Sequence, residues 1–318
     1  MNFNTVYNCK VRLIANQHEW ESLYMLCGKQ YLTQCWAFGE AKRKAENWYP
    51  KRLAFEYDGQ VVAICMVLEK RILGVTVASR INKGPLFLGL EPSKQICHAV
   101  MRKLRKKWNY IIHGVLFIAP ALESTAEKLE MLSNTGFRRW NTYRWHSSLI
   151  DLRRDELDIR KALKEKWRYN LNLAERKGLA LNISSAKSEV EWMLQRHEEN
   201  MRDKEFRGPS VNLANALYHE DPEHFLVLQA LWENQPVAGM VIVQHGYFAE
   251  YYVGWFGSLG RKLNAGNFLY WKATVAMKER GCHWLDLGGY SSLDKGYSRF
   301  KSGMQGTDYQ LCGEYMCF

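Results

Sequence analysis

Apolar and polar positions alternate along the first half of the chain with the periods of helices and strands. Residues 33–47 have helical spacing, and Thr33 is a suitable N-cap, which would place Trp36 and Lys42 on the helix surface. Asp58-Gly59 separates two β-rich runs, which favours a hairpin over residues 52–68. Further helices are predicted at 17–27, 93–107 and 124–134, and further strands at 75–80, 86–89, 110–118 and 139–149.

The second half repeats this order of elements. Helices are predicted at 185–202 and 265–280, and strands at 225–232, 237–245, 250–256, 284–287 and 309–317. Matching order and spacing indicate duplication of one α/β unit. We therefore predict an α/β protein (α+β, with mixed sheets) of two domains, at residues 1–152 and 153–318. The second would begin with a basic helix over 155–178, either a solvated linker or one wall of an anion-binding groove.

Length and composition agree with two packed domains. The chain has 318 residues, of which 47% are hydrophobic and 13% aromatic, more than a disordered chain would carry. The net charge of +11 favours anionic partners, such as nucleic acid, phosphorylated small molecules or anionic lipid.

The cysteines and the apolar runs indicate the cellular compartment in which the protein is expected. None of the eight cysteines forms a Cys-x-x-Cys pair or lies near histidine at zinc spacing, so no metal site is expected. Free thiols in apolar runs fit a reducing cytosol. The first residues lack the apolar region of a signal peptide, and the longest apolar stretch, 111–122, is too short to span a bilayer. We expect a cytoplasmic protein.

Three segments carry the most specific pattern. The C-terminal run joins Leu285-Asp286-Leu287-Gly288-Gly289 to Tyr297-Ser298-Arg299-Phe300-Lys301-Ser302-Gly303. The basic helix ends in Glu175-Arg176-Lys177-Gly178, and an N-terminal segment places Gln34 and Trp36 ahead of Lys42. Together these segments resemble the FemABX aminoacyltransferases, a branch of the GNAT acyltransferase superfamily, whose pattern has D-x-G-G followed by R-F-K-x-G.

The resemblance implies two tandem GNAT-like domains and transfer of an amino acid from aminoacyl-tRNA to an amine on the stem peptide of a phosphorylated peptidoglycan precursor. It implies no bound cofactor. No sustained heptads are present, so the coiled-coil arm of some members is not expected. A basic surface would also suit the inner membrane face. The oligomeric state is left open.

The resemblance also implies site residues. Phe300 and Lys301 would meet the tRNA acceptor end or the tetrahedral centre, although Lys301 could be a surface lysine and Phe300 a core residue. Lys42 and Arg207 would bind the diphosphate of the precursor, since cations at such positions pair with phosphate. Further substrate contacts are assigned to Trp36, Asp286, Arg299 and a tyrosine of strand 250–256, where we favour Tyr252 over Tyr251. Asp286 could instead cap the loop that follows it.

The expected reaction needs no activation of the donor by the enzyme, because an aminoacyl ester is already activated. The enzyme must position the amine and stabilise the developing oxyanion. No Gly-x-Ser-x-Gly elbow is present, and none is required.

A second hypothesis is an acyl-CoA-dependent N-acyltransferase. Arg261, Asn264 and Gly266 lie between a strand and a helix, where GNAT enzymes bind pyrophosphate on backbone N–H groups. Asn264 stands where a glycine is expected, and its side chain would crowd that path. A third hypothesis is a non-catalytic RNA-binding module, which the charge allows but no RNA-recognition motif supports.

Overall fold

The computed structural model describes residues 8–89, 91–108, 110–290 and 295–318. The chain forms two compact units: unit 1 is Met1–Trp145 with Gln310–Phe318, and unit 2 is His146–Tyr309. This division differs from the predicted boundary after residue 152 in two places. The strand at His146–Asp151 pairs with Trp284–Asp286 of unit 2, and the strand at Tyr315–Cys317 returns to pair with unit 1.

Unit 1 is built around one mixed sheet. Its strands are β1 (Cys9–Ile14), β2 (Trp48–Tyr57), β3 (Gln60–Ile72), β4 (Val75–Asn82), β5 (Leu86–Phe87), β6 (Val115–Ala119), β7 (Arg138–Arg139) and, from the C-terminal segment, β15 (Tyr315–Cys317). Its helices are α1 (Gln17–Met25), α2 (Trp36–Glu46), α3 (Lys94–Lys107), α4 (Tyr110–His113) and α5 (Ala126–Asn134).

The described strands of this sheet follow the order β1-β2-β3-β4-β6-β15-β7, with β5 paired to β3. The predicted hairpin is confirmed: Asp58 and Gly59 both have positive φ, as a two-residue hairpin turn requires, and Tyr57 pairs with Gln60. Strands β4 and β6 are parallel, while the other pairs on this path are antiparallel. Because β7 and β1 are the outer strands, each leaves one edge without a described partner strand.

Unit 2 repeats the plan with a second sheet. Its strands are β8 (His146–Asp151), β9 (Ala180–Ser184), β10 (Phe225–Trp232), β11 (Gln235–His245), β12 (Phe248–Phe256), β13 (Trp284–Asp286) and β14 (Thr307–Gln310). Its helices are α6 (Glu156–Ala162), α7 (Glu165–Arg176), α8 (Lys187–Asp203), α9 (Val211–Glu220), α10 (Ser258–Lys262), α11 (Ala265–Glu279) and α12 (Lys295–Ser302).

The order here is β14-β8-β13-β12-β11-β10-β9, and β12 pairs with β13 in parallel. Helices α7 and α11 supply much of the apolar core of unit 2, together with side chains of β10 and β11. No described helix is long and apolar enough to cross a membrane, and the described residues form no coiled-coil arm.

The predicted helix over 155–178 is broken in two. Leu163 and Lys164 have extended backbone, and the Lys164 amide donates to the carbonyl oxygen of Gly303 at 2.9 Å. Arg160 then ties the two pieces together, because its guanidinium donates to both carboxylate oxygens of Glu175. The partner of Lys164 directly follows α12, far away in the sequence, so no local signal in the helix reveals this contact.

Other predicted elements change at their ends. Helix α2 begins at Trp36 with Cys35 as its cap, while the Thr33 hydroxyl donates to the Asn82 carbonyl instead. The predicted strands at 139–149 and 309–317 each divide into two strands that belong to different sheets. The predicted strand at 110–118 begins as helix α4 and becomes β6 only from Val115.

Candidate functional site

A cavity of about 320 Å³ opens in unit 2 where the end of β12, the start of α11 and helix α12 meet. Aromatic side chains and glycines form much of its wall. The lining residues are Phe256, Arg261, Asn264, Gly266, Asn267, Tyr270, Gly296, Tyr297 and Phe300. The cavity therefore joins the segment predicted for acyl-CoA binding to the Phe300 segment predicted for aminoacyl transfer.

The amino end of α11 forms the polar part of the wall. The first helical hydrogen bond runs from the Phe268 amide to the Asn264 carbonyl, so the three preceding N–H groups point ahead of the helix. Such a terminus attracts anions and developing negative charge. Asn264 has φ of 59°, the left-handed conformation that glycine would favour, so this asparagine keeps the backbone geometry expected of a glycine there.

Arg261 lies at the same end of the cavity. Its Nε and Nη2 atoms donate to the Phe256 carbonyl oxygen at 3.0 and 2.7 Å, which fixes the guanidinium against the end of β12. The guanidinium is exposed, with donors remaining for an anion.

Phe300 is both a core residue and a wall of the cavity. Its ring lies 5.2 Å from the ring of Tyr270 and 5.8 Å from that of Trp167. A side chain added at Gly266 would lie about 3.5 Å from the Phe300 ring. The two alternatives considered for Phe300 are therefore compatible.

Lys301 is not a surface lysine, since its side chain is 0% exposed. Its Nζ donates to the carbonyl oxygens of Gly288 at 2.7 Å and Gly289 at 3.2 Å. The ammonium also lies 4.1 Å from the ring centre of Tyr297 and 5.2 Å from that of Tyr251. Lys301 is not among the lining residues, and Tyr297 connects it to the cavity.

Burial lowers the pKa of Lys301 to about 7, against the opposing attraction of Asp286 and Glu250. Removing the ammonium from water disfavours its charged form, and carbonyl partners compensate only in part. Near neutral pH this side chain therefore exchanges a proton, a property that an exposed lysine lacks.

Asp286 holds the loop that receives Lys301. Its carboxylate accepts from the Gly288 amide at 2.8 Å and from the Tyr309 hydroxyl at 2.6 Å, and the Ser147 hydroxyl donates to it as well. Gly288 has φ of 79°, and a Cβ there would lie 2.8 Å from the ring of Tyr251. The carboxylate thus caps the loop, and it is buried rather than open to a ligand.

The neighbouring tyrosines of β12 separate onto different sides. Tyr251 stacks on Tyr270 with ring centres 5.5 Å apart and packs near Lys301, whereas Tyr252 contacts Phe225 on β10. The register of β12 against β11 shifts at this point, which leaves Tyr252 as the extra residue of a bulge. Tyr251, not the favoured Tyr252, is the tyrosine beside Lys301.

Sequence reasoning missed the hydroxyl groups around Lys301. The Tyr270 and Tyr297 hydroxyl oxygens lie 3.2 Å apart, and Tyr297 also hydrogen-bonds Tyr251. Burial raises the pKa values of Tyr251 and Tyr270 well above the usual range, so both stay protonated. The sequence signal for these hydroxyl groups was Tyr297, which precedes the R-F-K residues and lies one helical turn before Lys301.

The remaining predicted residues lie elsewhere. Arg299 is exposed on α12, and Arg207 is exposed in the segment that follows α8. In unit 1, Lys42 donates to Glu46 at 2.6 Å, and the Trp36 ring lies 3.4 Å from the guanidinium carbon of Arg52. Unit 2 thus brings together the residues predicted for donor binding, while Lys42 and Trp36 share helix α2.

Comparison with known proteins agrees with this arrangement. Residues 159–302 match the family model described as the acetyltransferase (GNAT) domain. These residues include the whole cavity wall, Asp286 and Lys301. No curated protein matches the chain.

Solved structures match over the full length. The crystal structure of FemX has a TM-score of 0.79 at 13% identity, covering 96% of each chain. A tandem GNAT protein from the clavulanic acid biosynthesis pathway gives 0.58 at 11% identity, covering 98% of each. The C-terminal domain of a putative lysylphosphatidylglycerol synthetase from Agrobacterium fabrum gives 0.55 at 12% identity, covering 95% of this chain and 92% of that one. Residues 159–302 therefore match a GNAT domain, and the chain as a whole has a tandem GNAT-like fold similar to that of FemX.

Proposed function

We propose that this acyltransferase moves an amino acid from aminoacyl-tRNA to an amine on the stem peptide of a phosphorylated peptidoglycan precursor. One observation carries the proposal. The Phe300-Lys301 segment, which has the FemABX pattern, forms one wall of a cavity whose other wall is a helix amino terminus. The full-length likeness to FemX supports the same assignment.

The cavity suits the end of a charged tRNA. Phe256 and Phe300 offer aromatic faces on which a terminal base can stack, and such stacking is the usual way that proteins hold single-stranded RNA. The N–H groups at the start of α11 face the phosphate or the carbonyl oxygen that becomes the oxyanion.

The reaction balances without another reactant. The acceptor nitrogen attacks the ester carbon, the tetrahedral intermediate collapses, and the ribose oxygen leaves. The nitrogen loses one proton, and the ribose oxygen gains one. Lys301 does not line the cavity, and we propose that it acts through Tyr297 and the Gly288-Gly289 backbone, where its charge and its carbonyl contacts hold the wall of the cavity.

The acceptor assignment rests on Lys42 and Arg207. We propose that both cations bind the diphosphate of the precursor. Lys42 can exchange Glu46 for phosphate, because their pair is half-buried and remains partly open to water. We place the reaction in the cytoplasm, with either a soluble nucleotide-linked precursor or a lipid-linked precursor at the inner membrane face as the acceptor.

Side-by-side binding of aminoacyl-tRNA and acetyl-CoA to the purified protein tests the donor. We expect tight tRNA binding that weakens steeply with salt, because phosphate contacts release counterions. Transfer of a radiolabelled amino acid to a precursor should be abolished by ribonuclease. Acetyl-CoA binding together with ribonuclease-resistant transfer would refute the aminoacyl-tRNA assignment.

That outcome would support a second candidate, an acyl-CoA-dependent N-acyltransferase. Its supporting observation is the same helix terminus, because Arg261 and Gly266 lie where a pyrophosphate would sit, and Asn264 has the backbone conformation of the missing glycine.

A further inference from the structure

A second concave surface lies in unit 1, between the end of α3 and the edge strand β7. This groove, which we call the arginine groove, has a volume of about 780 Å³. Its lining includes Arg105, Arg138 and Arg139, together with Ser133, Gly136 and Cys317. Nothing in the proposed reaction uses it.

No side chain of the described residues compensates the charges of the arginine groove, whose lining also includes Phe318. Within the described residues, Arg105, Arg138 and Arg139 have no carboxylate at ion-pair distance, whereas Arg153 and Arg160 in unit 2 each pair with one. The only side-chain hydrogen bond described for the three runs from Arg139 Nε to the Asn141 carbonyl. Three guanidinium groups around one groove repel each other unless an anion binds between them.

The dipole of α3 explains only part of this cluster. Arg105 lies in the last turn of α3, where a helix favours cations. Arg138 and Arg139 lie on strand β7, and both are exposed. A guanidinium matches phosphate through two parallel hydrogen bonds, so three of them in a concave surface favour a phosphodiester ligand.

An exposed aromatic side chain follows the arginine pair directly. Trp140 is 53% exposed, and its ring is held edge-on against Phe117 with ring centres 5.2 Å apart. A basic groove beside an aromatic face is the combination that binds RNA backbone and bases. A bilayer presents its phosphates on a flat surface, which does not enter a groove, and the Trp140 ring is held against the protein.

We propose that the arginine groove binds the phosphate backbone of the donor tRNA away from its aminoacylated end. This proposal rests on the proposed function, since it assumes that tRNA is the donor. The contacts supply affinity and leave the chemistry in unit 2 unchanged.

The test uses the full chain and fluorescently labelled deacylated tRNA, with anisotropy measured from 50 to 200 mM salt. The variant is Arg138→Gln with Arg139→Gln, which removes two charges. The control is Lys10→Glu, which also lowers the net charge by two, at an exposed position on β1, the opposite edge of the same sheet. Circular dichroism verifies folding, and Arg105→Gln gives an independent variant if the double change does not fold.

We expect tRNA binding about tenfold weaker in the arginine variant, with a log–log salt dependence less steep by about 1–2, and less than a twofold change in the control. Equal weakening in both proteins would show a general charge effect and overturn the proposal. If the wild-type enzyme depends on tRNA and the arginine variant binds tRNA with unchanged affinity, the groove proposal fails while the proposed function stands. Failure of the wild-type protein to bind tRNA would overturn the proposed function as well.

Vesicles of phosphatidylcholine with about one-third phosphatidylglycerol distinguish RNA binding from membrane binding, because such lipids attract basic patches through charge alone. We expect the double variant to bind them as the control does. Selective loss of vesicle binding, with tRNA binding intact, would assign the arginine groove to the membrane and overturn the RNA proposal.

Discussion

Two lysines of the candidate site, Lys301 in unit 2 and Lys42 in unit 1, lie in opposite surroundings. Lys42 is on the surface of α2 and makes an i,i+4 ion pair with Glu46. Lys301 is fully buried, has no carboxylate among its hydrogen-bond partners in the described part of the chain, and donates to two backbone carbonyls beneath tyrosine rings. The same residue type is therefore a half-buried, ion-paired charge in one region and a group with a pKa of about 7 in the other.

The difference lies in what each lysine can exchange. Lys42 can exchange one anion for another, because its pair with Glu46 remains partly open to water. Lys301 cannot leave its partners without stranding the buried Gly288 carbonyl and the partly buried Gly289 carbonyl, so we propose that it holds the Gly288-Gly289 loop and carries a charge that depends on pH. Substitutions can test this contrast.

The largest effect is expected at Lys301. Lys301→Met keeps most of the length of the side chain and removes its charge, and we expect kcat for aminoacyl transfer to fall about 100-fold or more, as for loss of a preorganised electrostatic group. Lys301→Ala should also lose most turnover. Single-turnover kinetics with charged tRNA measure this, and circular dichroism should show the fold retained.

Lys278→Met is the matched control. Lys278 also donates to two backbone carbonyls, those of Leu152 and Arg154, but it does not line the cavity. Its replacement should leave kcat within about twofold, as for a substitution that removes no transition-state interaction. Near-normal turnover in Lys301→Met would show that the buried charge has no part in the reaction.

The next effect concerns the loop that Lys301 holds. In Gly288→Ala, the new Cβ would lie 2.8 Å from Tyr251 and 3.4 Å from the Lys301 Nζ, at a φ of 79°. We expect the free energy of unfolding to fall by about 2–4 kcal/mol, from backbone strain and overpacking together. Gly281→Ala has nearly the same φ and open space, so it should lose only about 1 kcal/mol. Equal losses in urea denaturation would mean that the contacts at Gly288 contribute nothing.

The third effect is the pH dependence of stability. The pKa of Lys301 is about 7 in the folded chain and 10.5 in its ordinary state, so between these values the unfolded chain binds more protons. Stability from this group therefore rises with pH across that window, by at most about 1.4 kcal/mol per pH unit, and is constant below it.

Urea denaturation at pH 7, 8 and 9 measures this contribution as the difference between wild type and Lys301→Met. The wild type should gain stability relative to the variant as pH rises. A difference that stays constant over the three pH values would place the pKa of Lys301 near that of an exposed lysine.

The contrast between these lysines also shows which features of the structure were predictable from the sequence. The Asp58-Gly59 hairpin was predictable because its signal is local. The break at Lys164 is accompanied by a hydrogen bond to the carbonyl of Gly303, and Lys301 packs near Tyr251 of β12; both are contacts between segments far apart in the chain. Local patterns carry no information on such partners.

The site shows the same limit at single residues. The motif identified Phe300 and Lys301, since residue type and order are written in the sequence. It did not separate Tyr251 from Tyr252, because alternation assigns faces only in a regular strand, and a bulge occurs at this position. Asp286 was identified too, with capping of the following loop as one alternative, but its partners Ser147 and Tyr309 are in no motif.

The smallest effect is expected at Lys42. In Lys42→Met the loss of the ion pair should cost only a few tenths of a kcal/mol of stability. If Lys42 binds the diphosphate of the acceptor, KM for a nucleotide-linked precursor should rise about tenfold while kcat changes less than twofold, the pattern of an interaction equal in ground and transition states. Arg207→Ala should likewise raise KM more than it changes kcat. The control is Lys187→Met, which removes an i,i+4 pair of the same orientation with Glu191 and should change neither KM nor kcat. Unchanged KM in both Lys42→Met and Arg207→Ala would remove these cations from the acceptor site, and the contrast with Lys301 would then be one between a functional lysine and an ordinary surface pair.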